Sequence, residues 1–303
     1  MTATVPQPMT ALERRYRRLL LAYPRQYRAA HGDELLDVLL ESADPGRNVP
    51  VLREVWGLLV GGVRSRIVHL ATGSAWEDGL HLGITAVAAA NLAALLPYAG
   101  AVPLWTLLSA LALLAVLRGR LPVAFPLTLV AGVKAVAVAG GWQAFELTMM
   151  PVYPSILTGR ALFADSSPFA VAFGYAVVLL GLLVLMSRRR RAPRIRSWWW
   201  PAAVVAVAWA GPRWMEQDTM FPISLSRIAA EAAAFGLAVA GCYLARDHRW
   251  ALASGIYLLV RSIELTVNSD QLTRQHLAYW GVLAVLALGA ASVPFRRRRH
   301  CLD

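Results

Sequence analysis

The chain has 303 residues, of which 57% are hydrophobic and 16% charged, and its formal net charge is +12. This composition excludes an ordinary soluble domain of this length and indicates a protein whose solvent is the lipid bilayer. The 30 basic residues lie mostly in short groups between apolar segments, which is typical of charges that orient membrane helices rather than of a nucleic-acid-binding face.

Residues 1–76 are predicted to form a small cytoplasmic domain of three helices. This stretch is rich in arginine and acidic residues and contains no apolar run long enough to span a membrane. Apolar periodicity predicts helices at about 10–22, 34–43 and 50–70, which either share one small core or lie along the lipid headgroups. Gly32-Asp33 is expected to end a short helical piece and to cap the second helix.

The second predicted helix carries an apolar stripe, which consists of Leu35, Leu36, Leu39 and Leu40. These side chains have two possible roles. They pack inside the small domain, or they form a surface for a cytosolic partner where the third helix leaves them exposed. The sequence leaves both roles open.

Residues 77–295 are predicted to form a bundle of about eight transmembrane helices, since apolar segments follow one another with lengths close to the 20 residues that cross a bilayer. The fifth segment is short and begins with three tryptophans, which favour the membrane interface. The predicted spans are 80–97, 101–117, 121–141, 169–186, 198–211, 225–245, 250–267 and 277–295.

The arginines predict the orientation of this bundle. Fourteen follow the even-numbered spans, whereas the other connections hold only Arg160, Arg213 and Arg274. Because basic loops remain in the cytoplasm, both termini are predicted to be cytoplasmic in a plasma (inner) membrane protein, and residues 296–303 are predicted to be a basic cytoplasmic tail.

An internal repeat is a further prediction. Glu146-Leu147-Thr148 recurs as Glu264-Leu265-Thr266, at corresponding ends of the third and seventh predicted spans. This spacing suggests two four-span halves, 79–196 and 197–295, in a parallel repeat that some transporters share.

Ionisable groups within predicted spans are the main candidates for function, because they are costly in lipid unless they face a cavity or a partner. Two interpretations stay open. These residues line an outward-facing polar vestibule that binds a ligand, or they form ion pairs that neutralise each other at the membrane–water interface. If Lys134 lies inside the membrane, it needs a lowered pKa or a partner on another helix, for which Glu231 or Glu264 is suitable; alternatively, the span is shifted so that Lys134 lies nearer a surface. The candidate residues are Lys134, Glu146, Arg227, Glu231, Arg261 and Glu264.

Signatures of enzymes and cofactors are missing from the sequence. The six histidines are scattered, the two cysteines make neither a disulfide framework nor a thiolate metal site, and no nucleophile elbow or phosphate-binding glycine loop is present. We therefore expect a non-enzymatic protein without a metal or cofactor.

The stretch YRRLLLAYPRQYRAAHGDELLDVLLESA, which begins at Tyr16, and the following REVWGLLVGGVRSR helix resemble the amino-terminal helical module of actinobacterial multi-pass membrane proteins. They also resemble the sensor-type domains of membrane proteins encoded beside PadR-type transcriptional regulators. The resemblance implies that residues 10–70 contact a cytosolic protein. The matching residues are Tyr23-Pro24, Tyr27-Arg28, Gly32, Glu34-Leu35, Glu54, Gly61 and Arg64.

The leading hypothesis is therefore a membrane protein that senses a lipid, a small molecule or an envelope state and relays the signal to a cytosolic partner. The main rival is a secondary transporter that uses Lys134, Glu231, Arg261 and Glu264 as substrate or coupling groups. A third hypothesis is a permease subunit that needs a separate ATPase.

Overall fold

The computed structural model describes residues 10–44, 47–70, 73–142, 162–163, 166–188, 195–197, 199–209, 225–267 and 269–299. Within these residues the chain is helical and contains no strand. It divides into two compact units, Met1–Thr72 and Gly73–Asp303, whereas the sequence had predicted a division after residue 76. The later boundary was wrong because Trp76 already belongs to the first helix of the second unit.

The described residues of the first unit form three α-helices, namely α1 (Ala11–Leu19), α2 (Arg25–Glu41) and α3 (Leu52–Leu70). The Thr10 hydroxyl accepts a hydrogen bond from the Glu13 backbone N–H and caps α1, which a 3-10 turn, Leu20–Ala22, prolongs to the predicted end. The predicted break at Gly32 was wrong, because α2 continues through it. One glycine costs only about 1 kcal/mol in a helix, and packing of the following leucines against the core offsets this.

The core of the first unit is apolar and includes tyrosines. Leu12, Tyr16, Leu20, Tyr23, Leu36 and Leu58 are buried there.

The second unit contains eight described helices. Six of them are long and apolar enough to span a membrane, and α5 and α8 are shorter apolar helices. The protein is thus an all-α polytopic membrane protein. The helices are α4 (Ala75–Leu95), α5 (Pro103–Leu117), α6 (Leu121–Ala139), α7 (Pro168–Ser187), α8 (Trp199–Trp209), α9 (Leu225–Ala245), α10 (Arg249–Val267) and α11 (Arg274–Arg299).

Two helices extend beyond their predicted spans by four or more residues. Helix α4 begins five residues before Leu80, because Ser74 stands at its N-cap position and Glu77 and Asp78 occupy a first turn that favours acids. Helix α11 continues to Arg299, so the first part of the predicted basic tail is helical.

Two sets of helices make up the second unit. Helix α4 packs against α5, α7 and α8, and α6 packs against α5 and α7, while α9, α10 and α11 pack against one another. Helix α10 joins the sets, because it also packs along α4 and α7. The two four-span halves stay a prediction.

The α4–α10 contact is close because two glycines of α4 face α10. A Cβ atom at Gly79 would lie 2.7 Å from the Arg249 carbonyl oxygen, and one at Gly83 would lie 2.7 Å from Ile256. This four-residue spacing of small residues lets two helices approach closely. The first residue of α10 is thereby held beside the first turns of α4.

Candidate functional site

Four of the predicted site residues lie together on α9 and α10. Arg227 Nε donates to Glu231 Oε1 at 3.0 Å, and Arg261 Nη1 donates to Glu264 Oε2 at 2.5 Å. We call these four residues, with the tyrosines Tyr257 and Tyr279, the Glu231 cluster. Its two arginines and two carboxylates have formal charges that sum to zero.

Glu231 lies at the centre of this cluster and is only 8% exposed. The Tyr257 hydroxyl donates to its Oε1 atom at 2.9 Å, and the Tyr279 hydroxyl donates to Oε2. The carboxylate therefore accepts hydrogen bonds from groups on α9, α10 and α11. A buried carboxylate with three donors is well compensated for its loss of hydration.

The rest of the Glu231 cluster is less enclosed. The Arg227 side chain is 40% exposed and that of Glu264 is 28% exposed. Arg261 keeps one buried donor, Nε, that has no acceptor among the described residues. Nearby, Trp280 Nε1 donates to Ser262 Oγ at 3.0 Å and fastens α11 to α10.

Lys134 belongs to a different part of the bundle. It is buried on α6, and its Nζ atom lies 5.5 Å from the ring centroid of Trp105 on α5. Contacts between described residues link it to this ring and not to Glu231 or Glu264. Glu146 lies outside the described residues.

A second set of charges, which the sequence analysis had missed, lies where α4 and α10 begin. Asp78 lies between two arginines: Arg196 Nη2 is 2.6 Å from Oδ1, and Arg249 Nη1 donates to Oδ2 at 2.8 Å. Arg249 also donates to Asp247 Oδ2 through Nε and Nη2. We call Asp78, His81, Arg196, Asp247 and Arg249 the Asp78 cluster.

His81 completes the Asp78 cluster as a neutral ring. Its Nδ1 atom accepts from Arg196 Nε at 3.2 Å, so the proton is on Nε2, which donates to the Val116 carbonyl oxygen at 2.9 Å. The Arg196 backbone N–H also donates to the Leu117 carbonyl oxygen. The cluster thereby connects α4, the end of α5, α10 and the segment before α8.

Helix α10 carries members of both clusters. Arg249 is its first residue, while Arg261 lies twelve residues later, or about 18 Å along the helix axis. Displacement of α10 along or about its axis would therefore alter both clusters.

The first unit has an open groove between α2 and α3. Its volume is about 590 Å³, and its walls include Tyr23, Pro24, Tyr27, Gly61 and Arg64. The rings of Tyr23 and Tyr27 are stacked with centroids 5.1 Å apart, and His31 follows at the same distance from Tyr27. Burial, and then the neighbouring Tyr27, raise the pKa of Tyr23.

The predicted leucine surface lies elsewhere in the first unit. Leu36 is 4% exposed in the core, and Leu35, Leu39 and Leu40 are partly buried against that core. Leu36 therefore has the packing role, whereas a role of the partly exposed Leu35, Leu39 and Leu40 in a partner surface stays a prediction.

Glu54, another residue of the resemblance, connects α3 to α1. Its Oε2 atom accepts from the Tyr16 hydroxyl at 2.6 Å, from Arg47 Nη2 at 3.3 Å and from the Val51 backbone N–H at 3.1 Å. The hydrogen bond from Tyr16 holds the pKa of Glu54 below its ordinary value. Burial and the Glu54 carboxylate raise the pKa of Tyr16 to about 12.

Comparison with known proteins found no relative of this chain. The chain matches no protein-family model, no curated protein and no solved structure. Among the described residues there is also no group of three or more histidine, cysteine, aspartate or glutamate side chains that could hold a metal ion.

Proposed function

We propose that this protein is a non-enzymatic membrane sensor whose helical bundle responds to a membrane or envelope signal and whose first unit relays it to a cytosolic protein. The observation that carries the proposal is the aromatic and basic groove of the first unit. Its walls include five of the residues on which the resemblance to sensor-type modules rests, namely Tyr23, Pro24, Tyr27, Gly61 and Arg64.

The groove has the chemistry of a protein-binding surface. The Tyr23 and Tyr27 rings supply a rigid aromatic wall, and the exposed Arg64 supplies a cation. Aromatic residues and arginine are enriched where proteins bind one another. A partner segment with an apolar side chain and a carboxylate fits this wall. The resemblance makes a PadR-type regulator the expected partner.

The cytoplasmic side is the expected location of this groove. Fourteen arginines follow the even-numbered predicted spans and three lie in the other connections, which favours cytoplasmic termini in a plasma membrane. A regulator that acts in the cytosol is then within reach of the first unit.

The bundle has a physical means of responding to a signal. Helix α10 carries Arg249 of the Asp78 cluster and Arg261 of the Glu231 cluster. A ligand or lipid that changes the partners of Arg261 would shift α10, and its other end is packed closely on α4. Such a relay requires two states of the bundle in which α10 makes different contacts. A second set of hydrogen-bond partners for Glu231 would supply this difference.

A secondary transporter is the rival function, and one observation favours it. Arg261 keeps a buried Nε donor that has no acceptor among the described residues, as expected of a site for an anionic substrate. Loss of uptake or efflux in Glu264→Gln, with the first unit dispensable, would support transport and contradict the sensor.

Photo-crosslinking tests the proposed function. A photoreactive amino acid is placed at Tyr27, in the groove, or at Asp37, an exposed position of α2 outside it, in the full chain in native membranes. We expect a cytosolic helix-turn-helix regulator to be captured from position 27 and not from position 37. Arg64→Glu should reduce this capture roughly fivefold or more, the effect of about 1 kcal/mol.

Three results would contradict the sensor proposal. Capture of an ATPase at position 27 supports the permease subunit instead. Equal capture from both positions shows that the groove is not the binding surface, and an absence of capture shows that no stable partner binds there.

A further inference from the structure

Helix α3 has a second face, which neither the core nor the groove uses. Large apolar side chains are exposed along it, and Leu52 is 82% and Trp56 69% exposed. The exposed side chains of this face, which we call the α3 stripe, are Leu52, Trp56, Leu59, Val60 and Val63.

The α3 stripe is continuous. With 3.6 residues per turn, its five positions fall within an arc of about 100°, the width of the apolar face of an amphipathic helix. The core side of α3, which carries the buried Leu58, and the groove side, which carries Gly61, point in other directions. The stripe is therefore additional to what the fold and the groove need.

Arginines border the α3 stripe on both sides. On the same helical projection, Arg53 and Arg64 flank one edge and Arg66 flanks the other. All three side chains are exposed, and Arg66 also donates to the Leu21 carbonyl oxygen. The one acidic residue of α3, Glu54, points away and is bound by Tyr16 and Arg47. The face is thus apolar at its centre and cationic at its edges.

We propose that the α3 stripe is embedded in the interface of a membrane leaflet that contains anionic lipid. Helices that lie in the headgroup region have this pattern, with tryptophan, leucine and valine at the centre of one face and arginines at its rim. Long arginine side chains reach the phosphates while the apolar residues enter the acyl boundary.

The chain itself brings α3 to a membrane surface. Residues 71–74 alone separate Leu70, the end of α3, from Ala75, the beginning of the first helix that can span a membrane. The carboxyl end of α3 is therefore tethered to the membrane by a short linker. This proposal does not rest on the cytosolic partner, because none of the five stripe residues lines the groove.

Fluorescence quenching tests the proposal on the full chain. In a background with Cys242→Ala and Cys301→Ser, an environment-sensitive dye is attached to Val60→Cys, in the stripe, or to Val38→Cys, an exposed valine of α2. The protein is placed in nanodiscs of phosphatidylcholine with phosphatidylglycerol. We expect the dye at position 60 to be quenched by nitroxide lipid and protected from aqueous iodide, and the dye at position 38 to behave in the opposite way.

The dependence of α3 embedding on charge provides a second test of the proposal. Arg53→Gln should lower the ratio of embedded to free α3 about fivefold, since one arginine near an anionic surface contributes about that factor. Arg53→Lys should restore it, and removal of phosphatidylglycerol should weaken embedding in the unsubstituted chain.

Two outcomes would overturn the proposal. The first is a dye at position 60 that iodide quenches as strongly as at position 38 in both lipid mixtures. The second is protection at position 60 that appears only after cytosolic protein is added, without quenching by nitroxide lipid; the stripe would then bind a protein.

Discussion

The Asp78 cluster and the Glu231 cluster contain the same charges in different settings. Each balances two arginines with two carboxylates. The Asp78 cluster joins residues that are 118 and 171 positions apart, and its Arg249 side chain is only 1% exposed. The two ion pairs of the Glu231 cluster join residues only three or four positions apart, and its Arg227 is 40% exposed.

This difference indicates different roles. In the Asp78 cluster each carboxylate depends on a buried arginine, so loss of one group leaves another charge uncompensated. In the Glu231 cluster the central carboxylate also accepts from two tyrosine hydroxyls, so it keeps partners when one arginine moves. The first arrangement fixes helices in place, and the second tolerates a change of partners, as the proposed sensing function requires.

The largest expected effect comes from Arg249→Ala. Removal of this side chain leaves Asp247 without its guanidinium and Asp78 with only Arg196. Breaking a buried ion pair by removing one partner costs about 3–5 kcal/mol. Arg227→Ala should cost less, about 1–3 kcal/mol, because the buried Glu231 carboxylate keeps the Tyr257 and Tyr279 hydroxyls as donors. Denaturant titration of the full chain in mixed micelles measures both free energies of unfolding.

Arg274→Ala is the control, because it removes an arginine from an exposed position outside both clusters. If Arg227→Ala destabilised the chain as strongly as Arg249→Ala, the Glu231 cluster would be a structural cluster too, and the proposed contrast would be wrong.

A smaller effect is expected from Gly79→Ala, which tests whether close packing supports the Asp78 cluster. The new methyl group would meet the backbone oxygen of Arg249, which cannot rotate away, so overpacking should cost about 1–3 kcal/mol. Gly255→Ala lies on α10 with no atom within 4 Å of the new Cβ and should instead stabilise the helix by roughly 0.5–1 kcal/mol.

Equal effects of the two alanine substitutions would show that the α4–α10 contact is looser than its geometry indicates. The same titration in mixed micelles gives both values.

The sequence predicted those features that depend on local spacing. Span positions followed from apolar length, and the pairs Arg227–Glu231 and Arg261–Glu264 followed from their separation along a helix. The Asp78 cluster could not be found in this way, because Arg196 had been assigned to a loop as an orienting charge. Only the packing of α10 on α4 brings Asp78 and Arg249 together. The one local sequence signal of this packing was the pair of glycines Gly79 and Gly83, four residues apart.

In the first unit, by contrast, a local sequence signal predicted a helix break that the structure does not have. Gly32 is a helix breaker by propensity, yet the core contact of Leu36 keeps α2 continuous. The leucine stripe of α2 was easy to see, but only Leu36 in it is fully buried, and for α3 the sequence left open whether its apolar residues enter the core or lie along lipid headgroups. Periodicity identifies a face but not what covers it.

The smallest expected effect belongs to the first unit, where Tyr16 and Glu54 make a single polar link that contrasts with both clusters of the bundle. Because the folded pKa of Glu54 is lowered, its contribution to stability is present above the ordinary carboxyl pKa and is lost as pH falls through the folded pKa. The pKa of Tyr16 is raised to about 12, so its contribution is present below the ordinary tyrosine pKa and is lost as pH rises toward that value.

Tyr16→Phe should therefore lower the stability of the first unit by about 1 kcal/mol at neutral pH and move its acid-induced loss of stability to higher pH. Hydrogen exchange of peptides from residues 10–70 in the full chain, corrected for the intrinsic pH dependence of exchange, measures both changes. Peptides of α9–α11 are the internal reference and should be unaffected. An unchanged acid response would mean that Arg47 and the Val51 N–H, rather than Tyr16, set the ionisation of Glu54.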